Sequence, residues 1–270
     1  MPGLLAAALA AGSLAAGCTE LPGAREMLAA PGVDFVLVGE YHGTVEMPAV
    51  ARDIACAVAE TRRPLAFAVE LTSADQPALD RFMKSNGSPA ARAALLASPG
   101  WAEKGGRTTA AIADMLDAVR RIGKRHPTTL VAFDTAPEPS GTSAKREAAM
   151  AAALTAARTQ KDTLVVALTG LGHADKTSFT SPVPPYPSAG KLLPGDRTLS
   201  LAFARPGGQY WGCSAPNGDT ARGCTAYDMP SREPVAPRGI RLDKILREGF
   251  DGVYMPGQAY TASRPARTES

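Results

Sequence analysis

The sequence predicts a single α/β domain: a mostly parallel central sheet flanked by helices. Three observations carry this. From residue 33 onward, apolar runs of strand length alternate with stretches of helical spacing. Consecutive strands separated by helices imply βαβ units, and hence parallel pairing. The chain has 270 residues, 45% hydrophobic and 20% charged, which is an ordinary globular balance and enough for one large α/β core or two small ones.

The elements follow in order. The first strand is Phe35-Val36-Leu37-Val38. A helix spans about residues 47–61, with Val50, Ile54, Ala57 and Val58 at helical spacing. Leu65-Ala66-Phe67-Ala68-Val69 reads as the second strand. Residues 73–100 are polar and interrupted by Gly and Pro, with short helices at 77–84 and 89–96. Thr108 or Thr109 can cap a longer helix at 110–124. The third strand is 129–133, followed by a helix at 143–158. Strands at 164–168, 199–203 and 252–255 complete the sheet. The Pro-rich stretch 180–194 reads as loop-like and the tail, 258–270, as loose.

Residues 1–18 read as an export segment, apolar from Leu4 to Ala11 and small thereafter. The ending Leu14-Ala15-Ala16-Gly17-Cys18 resembles a bacterial lipoprotein box, in which Cys18 would carry the lipid anchor. That resemblance implies an exported protein, either an outer-membrane lipoprotein or periplasmic. The alternative is an Ala-rich N-terminal helix; the segment is too short for an ordinary membrane span. Cys213 and Cys224 flank a loop of turn formers, so a disulfide is expected in an oxidising compartment, with a two-Cys metal clip the lesser reading. Cys56 reads as a small buried hydrophobe. Formal net charge is +3 with scattered Lys and Arg, which argues against a nucleic-acid partner. The cluster Arg120-Arg121 with Lys124-Arg125 fits a helix C-terminus.

Only three histidines occur, and two of them close the same phrase after a strand: Gly39-Glu40-Tyr41-His42 and Gly170-Leu171-Gly172-His173. Chance would place a Gly three positions before both about once in a hundred sequences of this composition. Ligands of open parallel sheets bind beyond the carboxyl ends of the strands. There four consecutive strands deliver Glu40 and His42, Glu70, Asp134, and His173. Two histidines with carboxylates can ligate a divalent ion that acidifies a water, making His42, His173, Glu40 and Glu70 the candidate metal set. They can equally form a metal-free acid/base pair with Glu orienting His. Arg146 is the cationic partner for an anionic group or developing charge, and Arg107 a weaker candidate. Bland readings stand beside these. Asp134-Thr135 before Pro137 is a natural turn, His126 a surface residue, and Trp101 a core or lid aromatic. Tyr41 can point into the site or pack sideways.

Gly39-Glu40-x-His42, Ala68-Val69-Glu70 and Gly-x-Gly-His173 resemble the Tiki/ChaN/erythromycin-esterase-like superfamily (EreA/ChaN-like fold). Trp101 with Gly106-Arg107-Thr108, Val131-Ala132-Phe133-Asp134, Arg146-Glu147-x-x-Met150-Ala151 and Phe250-Asp251-Gly252-Val253-Tyr254 extend the similarity over residues 33–257. The haem-binding ChaN-like branch is the nearer, by Gly172-His173-Ala174 and Gly190-Lys191-Leu192. It implies haem or iron uptake, with His42, His173 and Tyr41 as cofactor contacts and a homodimer as one possible assembly. The Tiki and esterase branches imply instead hydrolysis of a peptide or ester, with Glu40, His42, Glu70, His173 and Arg146 at the centre.

Overall fold

Seven strands build the central sheet of the computed structural model, which describes residues 17–135, 143–181, 184–243 and 247–267. In chain order the strands are β1 (Phe35–Glu40), β2 (Leu65–Thr72), β3 (Thr128–Asp134), β4 (Leu164–Gly170), β5 (Ser178–Phe179), β6 (Tyr186–Pro187), β7 (Thr198–Phe203), β8 (Gly208–Gly212), β9 (Thr225–Met229), β10 (Gly239–Leu242) and β11 (Gly252–Met255). The large sheet runs β10-β11-β7-β1-β4-β2-β3. All its pairings are parallel except β10 with β11 at one edge. The short pairs β5-β6 and β8-β9 lie apart from it.

The helices are α1 (Ala24–Ala29), α2 (Glu46–Ala59), α3 (Gln76–Lys84), α4 (Pro89–Leu96), α5 (Ala110–Ile122), α6 (Ser143–Ala156), α7 (Leu171–Ala174) and α8 (Ala189–Leu192). Both faces of the sheet are covered, which is why β1 and most of β2 and β4 are buried at every residue instead of alternating. On one face Val36, Val38, Phe67 and Val166 pack under α2 and α5 with Val50, Ile54, Val58, Leu116 and Val119. On the other, Leu37, Ala66, Val165 and Phe133 meet Met150 and Leu154 of α6. Each fully buried Val, Leu or Ile contributes about 1.5–3 kcal/mol. The expected architecture is therefore the observed one.

Two sequence expectations need correction. The tail was expected to be loose from residue 258, but through residue 267 it is stitched to the domain. Tyr260 is buried and donates its hydroxyl to Ala204 O (2.8 Å), and isolated bridges pair Thr44 with Ala262 and Thr109 with Pro265. These backbone bonds leave no periodic apolar signature. The second correction concerns the cysteines. Cys56 is not a free buried hydrophobe: it is bonded to Cys18. Thr19 N donates to Asp53 Oδ1 (3.1 Å) and Arg238 donates to Glu20 O (3.0 Å), seating Cys18 over α2. One sulfur cannot hold both this disulfide and a thioether-linked lipid, so the pairing is the alternative to the lipid-anchor expectation at Cys18. Cys213 and Cys224 are also paired, as expected. The apolar leader up to residue 16, Pro137 and residues 268–270 lie outside the described residues. Two disulfides are compatible with an exported protein, and no helix among the described residues is long and apolar enough to cross a membrane.

Candidate active site

At the carboxyl edge, β1 ends at Glu40, whose register partner is Gly170 at the end of β4. β2 pairs regularly with β3 up to Val69 and then shifts register before Thr72. That irregularity frees Glu70 from the regular pleat; bulges commonly re-aim side chains beside functional sites. His42 sits in the turn after β1. Gly43 makes that turn possible, because its φ is +95° and a Cβ there would lie 1.9 Å from Trp211 O. His173 rides on the single turn α7. The two Gly-x-x-His phrases thus reach one place by different backbone routes, a turn and a helix.

Glu70 is the hub. Its Oε2 accepts from Thr169 Oγ1 (2.8 Å) and Gly170 N (2.6 Å). Its Oε1 lies 3.0 Å from Arg107 Nε and 3.1 Å from Arg146 Nη2. Both imidazoles address the same oxygen: His42 Nε2 and His173 Nε2 are each 3.7 Å from it. Burial would push the Glu70 carboxyl up, but His42, His173, Arg107 and the Gly170 N–H together hold it down at about 2. Glu70 is therefore an anion near neutral pH.

Each histidine is backed by a second carboxylate. His42 Nδ1 is 2.9 Å from Glu40 Oε1, and His173 Nδ1 lies 2.6 Å from Glu147 Oε1. Glu147 is itself held by the Ala189 N–H (2.7 Å). Arg107 Nε donates to His42 Nε2 (3.3 Å), and Arg146 Nη1 lies 3.2 Å from His173 Nε2. A guanidinium only donates, so both contacts require an Nε2 lone pair and place the imidazole proton on Nδ1, facing the glutamate. That is the tautomer of a general base. Burial acts to lower the His42 pKa, but the Glu70 and Glu40 charges and the hydrogen bond to Glu40 outweigh burial and Arg107, leaving it raised above 6.5.

Arg146 is fixed by a bidentate pair to Asp134, Nε to Oδ1 at 2.8 Å and Nη2 to Oδ2 at 2.7 Å. That hydrogen bonding outweighs burial, raises its pKa and keeps it charged. The structure therefore brings together Glu40, His42, Glu70, His173 and Arg146, as the sequence placed them, and adds Arg107 in full. Asp134 does more than turn the chain: it orients Arg146. Glu147 was missed as a site residue. Its only signal was its place next to Arg146 on the same helix start. Tyr41 turns sideways, edge-on to Tyr210 with centroids 4.5 Å apart. Trp101 is buried in the core.

The donor set does not fit a divalent metal. Two guanidiniums lie within 3.3 Å of Glu70 Oε1 and of the two Nε2 atoms, so a cation there would meet two fixed positive charges, and among the described residues no group of three or more His, Cys, Asp or Glu is arranged to hold an ion. Nor does it fit an axial haem ligand, since each Nε2 faces a carboxylate and an arginine, and Tyr41 packs away.

No family model and no curated protein sequence matches this chain. Solved structures do. A mutant of an erythromycin esterase in its open conformation aligns over 87% of this chain and 90% of its own, with TM-score 0.57 and 9% identity. This chain shares that esterase's fold. A succinoglycan biosynthesis protein aligns over 89% and 91%, with TM-score 0.67 and 10% identity. A Bacillus cereus protein aligns over 76% and 73%, with TM-score 0.55 and 15% identity. At these identities the likeness is one of fold.

Proposed function

We propose that the chain is a metal-independent hydrolase of an ester or peptide bond. The observation that carries this is the pair of carboxylate-backed imidazoles whose Nε2 atoms converge on one Glu70 oxygen between two guanidiniums. The esterase-like fold supports it as an analogy.

Water is the attacking group. All four cysteines are in disulfides, and the Thr169 hydroxyl is buried and spent on Glu70. A substrate carbonyl oxygen that draws the Arg107 N–H off His42 Nε2 frees this ring, about a quarter exposed, to take a proton from water. Glu40 orients the ring and stabilises the imidazolium that forms. The hydroxide adds to the acyl carbon, and the charge developing on the carbonyl oxygen is met by the N–H groups of Arg107 and Arg146. Collapse expels the alkoxide or amine, which recovers the proton from His42. His173, held by Glu147, keeps Arg146 in position and is the second proton-exchanging group.

The test is a panel of ester and peptide substrates incubated with purified protein in chelator, with a haem titration in parallel. Turnover with no Soret shift is the expected result. A Soret band on titration with no turnover of any substrate would replace hydrolysis with the haem reading.

A further inference from the structure

The opposite edge of the sheet carries an unbalanced charge cluster. Asp34, immediately before β1, is 4% exposed. Three arginines from three different loops converge on it. Arg197 reaches it with Nε (2.5 Å) and with Nη2. Arg158 Nη2 is 3.0 Å away and Arg63 Nη2 is 3.6 Å away. Arg158 also lies over the Phe35 ring, 5.8 Å from its centroid, and donates to Thr163 O. Arg63 donates its Nε to Asp162 O (3.1 Å).

One buried carboxylate cannot balance three guanidiniums. The loops that bear them add the cations Arg62 and Lys161 and the acids Glu60, Asp162 and Asp196, of which Glu60 is taken by Arg25. Five cations thus stand against four acids, counting Asp34. Burial, with the charges of Arg158 and Arg197, lowers the Arg63 pKa despite Asp34 and Asp162. Arg63, Arg158 and Arg197 remain 28%, 21% and 46% exposed, so their outer N–H groups face solvent. Planar guanidinium forks held from one side and open on the other match the oxygens of a tetrahedral anion.

We propose that this amino-edge cluster is an oxyanion site that takes a phosphate group, independent of the hydrolytic site at the other edge. The phosphate can belong to a small molecule or to an anionic lipid headgroup, and two arms separate these. Full-length protein is titrated with inorganic phosphate by calorimetry at constant ionic strength, and sedimented with phosphatidylglycerol or phosphatidylcholine vesicles. Saturable phosphate binding supports the small-molecule source; selective sedimentation with phosphatidylglycerol supports the headgroup. Arg63→Gln with Arg197→Gln, which leaves the Arg158–Asp34 pair in place, is expected to weaken either binding about tenfold or more with the circular dichroism spectrum unchanged. Absence of binding in both arms for the native protein overturns the proposal. So does equal binding by native protein and a folded double variant.

Discussion

Glu147 Oε1 lies 2.6 Å from His173 Nδ1 as a close ion-pair contact outside hydrogen-bond geometry, where Glu40 hydrogen-bonds His42 Nδ1 at 2.9 Å. The site is built twice: an imidazole, a carboxylate behind it and an arginine before it, with Glu70 shared between the halves. Removing a backing carboxylate should leave the ring in place but lose its tautomer control. Glu40→Gln and Glu147→Gln are each predicted to lower kcat by about 10- to 1000-fold with little change in KM, a part of the roughly 100- to 10,000-fold that a general acid or base supplies. Steady-state kinetics on both variants checks this; an unchanged kcat for Glu147→Gln would remove His173 from the chemistry.

The pH dependence follows from the raised pKa of His42. A base must be unprotonated, so kcat/KM should rise with pH through an inflection above 6.5. Glu40→Gln removes one of the charges that raise it, and should move that inflection down. Stability runs the other way. A raised folded-state pKa means the His42 contribution is complete below 6.5 and is lost as pH rises through the folded value. Glu70 is depressed, so its contribution is present above 4.5 and is lost as pH falls toward about 2. Denaturant melts across pH read both limbs.

Gly170 is where fold and site meet. A Cβ there would lie 3.2 Å from His42 Nε2 and 3.5 Å from Glu70 Oε2. Gly170→Ala should therefore reduce turnover by more than tenfold at a stability cost of about 1 kcal/mol. An active Gly170→Ala enzyme would mean that the reacting groups do not occupy the space between His42 and Glu70.

The hairpin β8-β9 straps the segment that carries Arg107. Trp211 Nε1 donates to Lys104 O (2.9 Å) and Trp211 N to Gly43 O (2.8 Å), and Cys213–Cys224 closes the hairpin. Trp211→Phe deletes the indole N–H while keeping an aromatic ring. It should lower kcat about three- to tenfold, the loss expected from a hydrogen bond of about 1 kcal/mol, and less when Arg107 is already Ala.

Cys18–Cys56 closes a span of 38 residues, for which chain entropy predicts about 4 kcal/mol. Cys56→Ser should lower the unfolding free energy by roughly 2–4 kcal/mol, and intact mass should show both bridges and no lipid on Cys18. A lipidated Cys18 would contradict the pairing.

Much of this was legible in the sequence. Apolar strands followed directly by Glu40, Glu70, Asp134 and His173 place those groups on one edge by topology alone, because parallel strands end together. Glu147 was hidden because a helix start in an Ala-rich stretch gives no sign of which neighbour of Arg146 turns toward the sheet. The hairpin was hidden because residues 205–231 are rich in Gly, Pro and turn formers, and its strands are pinned by a disulfide and by Gly43 instead of by a long apolar run. What the sequence could not give was the two arginines lying across both Nε2 atoms. That geometry depends on Asp134 and on the Trp211 strap, contacts distant in the chain, and it turns a metal-like residue set into an acid–base one.

The most direct measurement is hydrolysis by native protein, His42→Ala and His173→Ala after exhaustive chelation, on the best substrate of the ester and peptide panel. The account predicts full native activity in chelator and a loss of about 100- to 10,000-fold in His42→Ala, the range for removing a general base, with a smaller loss in His173→Ala. Native activity that disappears with the metal, or survives His42→Ala undiminished, would contradict it.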